Sequence, residues 1–390
     1  MVRTDSEGPA GSAAERDRVW MAHAVDAADA ARRRTAPNPW VGCVLVDAAD
    51  AIVGTGATAP PGGDHAEVRA IAAAGARAAG ATAYVTLEPC THHGRTGPCV
   101  DALAAARVRR VVVALEDPDP RVAGRGLARL RAAGVDVTVG VGATEAARAL
   151  APYLHHRRTG RAWAQLKTAT SIDGRTAAAD GTSQWITGDE ARADAHELRA
   201  DAQAIVIGAG TALTDRPTLT ARPAERPPGH SDARPDEPPP GRPTRVLLDG
   251  RGRVPATGPL FDPDLAPTLV LTTARAPERS VAAWRAAGAK VEVIAPGPSG
   301  GVDLTSALAH LGGEGVLHAL IEGGATVHGA FVVARLADAL VQYLGGAILG
   351  PDGLAAIGGP GPVTLTDTTR WRLAAVRPVG VDVRLDWEPV

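Results

Sequence analysis

The chain has 390 residues, of which 45% are hydrophobic and 22% charged, with a formal net charge of −2. The composition is globular, and the length exceeds what one ordinary core fills, so two domains are expected. The acidic balance and the 3% aromatic content exclude a basic nucleic-acid face and a base-stacking platform, and no apolar run approaches the roughly 20 residues of a membrane span.

The expected partners are small soluble molecules, with no nucleic acid and no membrane. Residues 1–12 are polar, lack a hydrophobic core region, and read as a disordered tail, not a signal peptide. Three cysteines without a secretory signal suggest reduced thiols and a cytoplasmic setting.

Residues 13–31 read as a helix, with Val19, Ala22, His23 and Ala30 on one face at helical spacing. Pro37 and Pro39 break it. Residues 41–46 form a buried strand in which Cys43 is a core thiol, and after a turn at 47–50 a second strand opens at Ile52. Gly62-Gly63-Asp64 leads into His65, at the start of a helix over 66–79. A strand over 81–86 runs into Leu87-Glu88-Pro89-Cys90, and a polar loop ends at Cys99, which begins a helix to about Ala106. A strand at 108–115, a turn at Asp117-Pro118-Asp119-Pro120, a helix at 124–133, a strand at 135–139 and a connecting helix at 143–156 follow. The alternation implies a layered α/β domain over 13–158 and a second domain over 159–390.

The first domain carries a constellation with chemical content. His65, Cys90 and Cys99 are one imidazole and two thiols, a soft ligand set suited to zinc. Glu67, two residues past the histidine, can stand beside such a metal and carry protons. Zinc in this setting lowers the pKa of water to roughly 7, which suits hydrolysis. The arrangement is the H-x-E…P-C…C pattern of zinc-dependent nucleobase deaminases. The alternative is a satisfied core histidine with two buried thiols.

In the second domain, residues 163–170 form a strand containing Lys167, which either snorkels to the surface or places a charge at a cleft. Ser171 to Arg175 make a turn, and a helix starts near Thr187 or Asp189, either of which could cap it. The strand at 204–208 runs into a polar loop from Gly210 to Arg222, where ligands gather in open α/β sheets. Residues 223–243 are proline-rich and read as a mobile surface loop. Strands at 244–249, 268–272 and 290–294 alternate with helices at 281–287 and 304–311. The strand at 317–322 ends in Gly323-Gly324, followed by a helix over 325–336; glycine there either lets a phosphate approach backbone N–H groups or serves packing. It is not the G-x-G-x-x-G fingerprint. Strands at 340–347 and 371–385 finish the sheet.

Pro37-Asn38-Pro39-Trp40-Val41-Gly42-Cys43, His65-Ala66-Glu67-Val68 and the run from Tyr84 to Cys99, with eight residues between the paired cysteines, resemble the deaminase half of the bifunctional riboflavin-biosynthesis deaminase/reductase family. Gln165-Leu166-Lys167, Ser171 to Arg175, Ser183 to Thr187, Thr211 to Arg222 and Ile321-Glu322-Gly323-Gly324 resemble its reductase half. The resemblance implies a cytidine-deaminase-like three-layer domain followed by a dihydrofolate-reductase-like domain, with Zn2+ and NADPH as cofactors. It implies zinc on His65, Cys90 and Cys99, Glu67 as proton shuttle, and Asn38 and Arg95 on the substrate. In the second half it implies substrate contacts from Ser183, Arg199, Leu219, Arg222 and Glu322. It places cofactor contacts at Ala169, Trp185, Thr211, Asp215 and Gly324-Ala325-Thr326-Val327-His328-Gly329-Ala330. Lys167 and Glu322 are candidates for a proton relay, or form a structural ion pair. The family also implies a homo-oligomer through the reductase half. One departure stands out: Thr58 occupies a position where the family commonly has histidine, so a paralogue acting on a different pyrimidine is the alternative. A nucleic-acid-editing deaminase and a catalytically dead zinc module are the rivals from other classes.

Overall fold

The computed structural model describes residues 12–91, 97–222 and 242–390. The described chain divides into two compact units at Thr159/Gly160.

The first unit opens with α1 (Ala13–Ala31), then β1 (Gly42–Val46), β2 (Ile52–Ala57), α2 (Ala66–Ala74), β3 (Thr82–Val85), α3 (Cys99–Ala105), β4 (Arg110–Val113), α4 (Arg125–Ala132), β5 (Asp136–Val139), α5 (Ala143–Ala149) and α6 (Ala151–Thr159). The sheet order is β2-β1-β3-β4-β5. β1 is antiparallel to both its neighbours, and β3, β4 and β5 are parallel. α1 lies directly on β1: a Cβ on Gly42 would stand 1.9 Å from the Ala24 carbonyl oxygen, so only glycine permits the approach. Asp17 of α1 is buried, and its carboxylate accepts from Tyr84 Oη at 2.8 Å and from Arg110 Nη1 and Nη2 at 3.0 and 2.8 Å. Charge and hydrogen bonds together offset its desolvation.

The second unit contains β6 (Trp163–Thr170), β7 (Arg175–Ala177), α7 (Asp189–Asp201), β8 (Ala204–Gly208), α8 (Ala209–Asp215), β9 (Thr244–Leu248), β10 (Thr268–Thr272), α9 (Glu278–Ala286), β11 (Lys290–Val293), α10 (Leu304–Gly313), β12 (His318–Ile321), α11 (Ala325–Val333), β13 (Ala339–Leu344), β14 (Leu354–Ala355), β15 (Trp371–Val379) and β16 (Asp382–Pro389). Nine strands form one sheet in the order β11-β10-β9-β8-β12-β6-β13-β16-β15. It is parallel from β11 to β13, and β16 and β15 add an antiparallel hairpin. Central strands such as β8 are buried along their whole length, as expected of a parallel sheet covered on both faces.

Several expectations are corrected. The buried face of α1 carries Trp20, Met21, Ala24, Ala27, Ala28 and Ala31, whereas Val19 is exposed. In so alanine-rich a helix several stripes match helical spacing, and the two largest side chains decide which one packs. Ser12 is not tail: its Oγ accepts from the Glu15 N–H, and the Glu15 carboxylate accepts from the Ser12 N–H, a reciprocal capping box. The rest of the predicted tail, and all but the last two residues of the predicted 223–243 loop, lie outside the described residues. α7 is capped by Gly188, whose N–H donates to Asp382 Oδ2 at 2.7 Å, not by the side chain of Thr187 or Asp189. The first part of the predicted 210–222 loop is α8. The helix expected over 143–156 is two helices, broken at Leu150.

One buried carboxylate organises the first unit beyond β3. Glu88 accepts backbone N–H groups from Asp117 (3.2 Å), Gly124 (2.9 Å), Gly126 (2.8 Å) and Leu127 (3.2 Å). It satisfies donors at the start of α4, where the helix dipole favours negative charge. Glu88→Gln turns one oxygen into a donor facing donors. It should lower the stability of this unit by about 2–4 kcal/mol, measured as the shift of its chemical-denaturation midpoint in the full chain.

Candidate active sites

In the first unit, His65 is the N-cap of α2 and Cys99 the first residue of α3, while Cys90 follows β3. The fold brings these three together. Their ligand atoms lie within 4.8 Å of one another. His65 Nδ1 is 3.1 Å from Cys99 Sγ and 3.4 Å from Cys90 Sγ, and the two sulfurs are 3.5 Å apart. Zinc with tetrahedral bonds of about 2.0 Å to nitrogen and 2.3 Å to sulfur needs separations of about 3.5 and 3.8 Å. The donor set therefore fits zinc, with Nδ1 as the histidine ligand, after a shift of a few tenths of an ångström. The hydrogen bond shared with Cys99 pulls the Cys90 thiol down to about 4 against its burial, with help from His65. The same bond, with burial, raises Cys99, so the pair holds one proton, which a metal would displace.

Glu67, in the first turn of α2, is 3% exposed. Burial raises its proton affinity, and the charge on Cys90 raises it further. A carboxyl whose proton affinity is raised in this way is suited to taking up and releasing a proton. Cys43 is buried behind it and is not among the gathered ligands. Thr58 is also buried, and its Oγ1 accepts from the Val41 N–H at 3.0 Å. Its O–H in turn donates to the Val41 carbonyl at 3.4 Å, so the hydroxyl ties the end of β2 to the residue before β1 through both its donor and its acceptor. Asn38 is half-buried in the turn before β1, where its backbone N–H donates to the Thr35 carbonyl at 2.8 Å. Arg95, with His92 and His93, lies outside the described residues.

In the second unit, Lys167 comes from β6, Arg199 from α7, and Glu322 from the residue after β12. The ion pair formed is Arg199 with Glu322: Nε to Oε1 at 2.6 Å and Nη2 to Oε2 at 2.8 Å, a two-pronged contact. Arg199 Nη1 donates to the Thr220 carbonyl at 3.2 Å. Burial works against ionising Glu322, but Arg199, with Lys167 behind it, holds the carboxyl at about 2. Burial lowers the proton affinity of Lys167, partly countered by Glu322. Lys167 Nζ also stands 5.8 Å from the Tyr343 ring centre, a cation–π contact.

The other expected residues divide. Leu219 is 2% exposed with a φ of 50°, so its side chain is core and only its backbone can meet a ligand. Ser183 and Trp185 are exposed, and the Arg192 guanidinium stacks 4.2 Å from the Trp185 ring. Ala169 packs beside the buried Ala191, Leu320 and Tyr343. Thr211 and Asp215 lie on α8. The two glycines before α11 have different duties. A Cβ on Gly323 would stand 2.6 Å from Val327 Cβ, so Gly323 serves packing. A Cβ on Gly324 would meet only Thr211 Oγ1, at 3.3 Å. The N–H groups of Ala325 and Thr326 have no protein acceptor among the described residues. Gly324, Thr211 and these N–H groups thus form a cradle that fits a phosphate group. His328 and Gly329 face the protein instead, against Ile321, Ala356 and Gly358.

Two family models match the chain: the cytidine and deoxycytidylate deaminase zinc-binding region over residues 14–115, and the RibD C-terminal domain over residues 162–385. The riboflavin biosynthesis protein RibD of Chlamydia pneumoniae is 41% identical over 374 residues, covering 96% of each chain. The chain belongs to the RibD family. RibD of Escherichia coli is 40% identical over 95% of this chain and 98% of its own length. Among solved structures, Acinetobacter baumannii RibD form 1 superposes with a TM-score of 0.83 at 36% identity, covering 97% of this chain and 99% of that one. A diaminohydroxyphosphoribosylaminopyrimidine deaminase/5-amino-6-(5-phosphoribosylamino)uracil reductase from Thermotoga maritima gives 0.81 at 28% identity, covering 97% and 100%. RibD membership agrees with the cytidine-deaminase-like first unit and the reductase architecture of the second.

Sequence reasoning passed over Glu88 and His196. Glu88 carries no local mark, because its four partners lie 29–39 residues away. His196 had a signal: it precedes Arg199 by one helical turn, so the two share a face of α7.

Two outcomes follow. Cys99→Ser should strip the bound zinc, measured by metal analysis, whereas Glu67→Gln should keep it and lose about 10²–10⁴-fold in ammonia release. Because the folded pKa of Glu322 lies below its ordinary 4.5, its ionic contribution to stability is complete above about 4.5 and is lost as pH falls through about 2. Glu322→Gln should flatten that part of the acid-stability profile, followed by denaturant midpoints of the full chain.

Proposed function

We propose that the chain catalyses two successive steps of riboflavin synthesis: hydrolytic deamination of 2,5-diamino-6-ribosylamino-4(3H)-pyrimidinone 5′-phosphate, then reduction of the ribosyl chain to give 5-amino-6-ribitylamino-uracil 5′-phosphate. The observation that carries the reading is the convergence of His65, Cys90 and Cys99 beside a buried Glu67, in a RibD chain that also brings Lys167, Arg199 and Glu322 together.

In the first step, His65, Cys90 and Cys99 would hold zinc, which supplies the Lewis acidity for attack on C2. Glu67 takes the proton released by the attacking water and delivers it to the departing amine, so ammonia leaves neutral. Its raised proton affinity suits both halves of that transfer. In the second step, the open ribosylamine presents an imine at C1′. NADPH supplies the hydride when bound, with the Gly324 cradle and the exposed Trp185 as contacts. Carbon gains the hydride and nitrogen gains a proton. Lys167 is the donor: burial loosens its proton, and Glu322, kept ionised by Arg199, stabilises the charge until transfer. Thr58 supports no different substrate, because its hydroxyl is engaged by the strand backbone.

The second unit also supports assembly into a homodimer. β15 is an edge strand, and Leu373, Val376 and Val381 on the terminal hairpin are 45%, 53% and 86% exposed. No helix among the described residues is long and apolar enough to cross a membrane, in keeping with a cytoplasmic enzyme.

The test is a coupled assay on the purified chain with the diamino-pyrimidinone ribotide. Ammonia and oxidised NADPH should appear in equal amounts, both dependent on zinc when the starting substrate is used. Only NADPH oxidation should survive zinc removal when the deaminated intermediate is supplied. Ammonia without NADPH oxidation would defeat the reductase half of the reading. Light scattering should give twice the chain mass.

A further inference from the structure

The cluster around Glu322 contains a side chain with no role in the chemistry above. His196 lies on α7 one turn before Arg199. Its Nε2 is 3.1 Å from Arg222 Nη2. A guanidinium only donates, so the imidazole nitrogen must be the acceptor, and the ring is the neutral tautomer with its proton on Nδ1. Burial, and then the charges of Arg199 and Arg222, lower the proton affinity of His196, so the acceptor lone pair stays available. Glu322 from the end of β12 and the Thr220 carbonyl are the other polar groups facing it.

The state of the two arginines makes this contact matter. Arg199 spends Nε and Nη2 on Glu322 and Nη1 on the Thr220 carbonyl. Three of its five N–H groups are thereby committed. Arg222 sits in an exposed contact, and among the described residues its guanidinium donates only to His196. An exposed arginine with a flexible stem loses conformational freedom when it engages an anion. A hydrogen bond at one guanidinium nitrogen reduces that loss and leaves the remaining donors for two-pronged contact with a phosphate.

We infer that His196 is a positioning residue for the phosphate end of the reductase substrate, acting by accepting the Arg222 N–H and aiming that guanidinium. The inference rests on the reductase reading above. It makes Arg222 the principal phosphate contact and leaves Arg199 to hold Glu322.

The full chain is assayed with the deaminated ribosylamino-uracil phosphate and NADPH. His196→Phe keeps an aromatic ring and removes the acceptor; KM for the ribotide should rise about tenfold, with kcat within about twofold. His196→Gln places an oxygen near the Nε2 position and should restore KM, whereas His196→Asn, whose oxygen falls nearer Nδ1, should not. With the dephosphorylated ribosylamino-uracil, wild type and His196→Phe should share one KM. If His196→Phe lowers the thermal midpoint, the Gln and Asn pair decides. An unchanged KM in both His196→Phe and His196→Asn, a loss confined to kcat, or an equal KM loss with the dephosphorylated substrate would overturn the inference. A wild-type chain that oxidises no NADPH with the intermediate would defeat the reductase reading itself, and the inference with it.

Discussion

A buried carboxylate must be hydrogen-bonded, paired with a cation, or protonated, because leaving it charged and unmatched in a protein interior costs several kcal/mol. Three buried glutamates answer that constraint in three ways, and the two sites follow from the differences. Glu88 is matched by four backbone N–H groups and becomes a structural strut. Glu322 is matched by the Arg199 fork and stays ionised beside Lys167. Glu67 has no cation fork among the described residues, and its burial and the charge on Cys90 outweigh a backbone hydrogen bond, His65 and the Cys99 thiol, which act the other way. Its proton affinity rises, and it becomes the group that can exchange a proton. The same residue type is scaffold, electrostatic anchor and, in the proposed reaction, acid-base group according to what surrounds it.

The second organising constraint is where strands end and helices begin. In a parallel α/β layer each strand delivers the chain to a helix N-terminus, where free N–H groups and the helix dipole favour negative charge. His65 and Cys99 sit at two such starts and Gly324 at a third. Two of the three proposed zinc ligands and the proposed phosphate cradle thus lie at equivalent places in two different sheets. Glu88 strengthens the first arrangement by locking the start of α4 to the segment that carries Cys90. The ligand loops rest on a frame that already has its backbone donors satisfied.

Much of this was legible before any coordinates. The bounds of α1, the β1–β2 hairpin, the strand before Cys90 and the helix starting at Cys99 follow from hydrophobic runs punctuated by proline and glycine. What failed did so for local reasons. The buried stripe of α1 was misread because alanine matches any stripe, and only packing on Gly42 and neighbouring strands selects Trp20 and Met21. α8 was read as loop because its Gly-Thr-Ala-Leu-Thr-Asp sequence has low intrinsic preference for helix; its start follows directly from β8, and Ala209 and Ala212 hold it in the core. Thr58, where the resembling family commonly has histidine, is hydrogen-bonded to Val41 just before β1. The resemblance puts Leu219 at the substrate; its side chain belongs to the core, which leaves its backbone for a ligand.

The sequence by itself determined which atoms were available: one imidazole and two thiols at characteristic spacing, a glutamate two positions on, a lysine in a strand and a Gly-Gly step before a helix. Those are properties of residue type and short-range order, and they sufficed to suggest zinc, in agreement with the matching zinc-binding deaminase region. The tertiary structure alone decided how those atoms are paired. Arg199 faces Glu322 across 123 residues, Glu88 reaches N–H groups up to 39 residues away, and His196 meets Arg222 across 26. Proton affinity and charge are set by such distant neighbours and by burial, and neither is encoded in spacing along the chain.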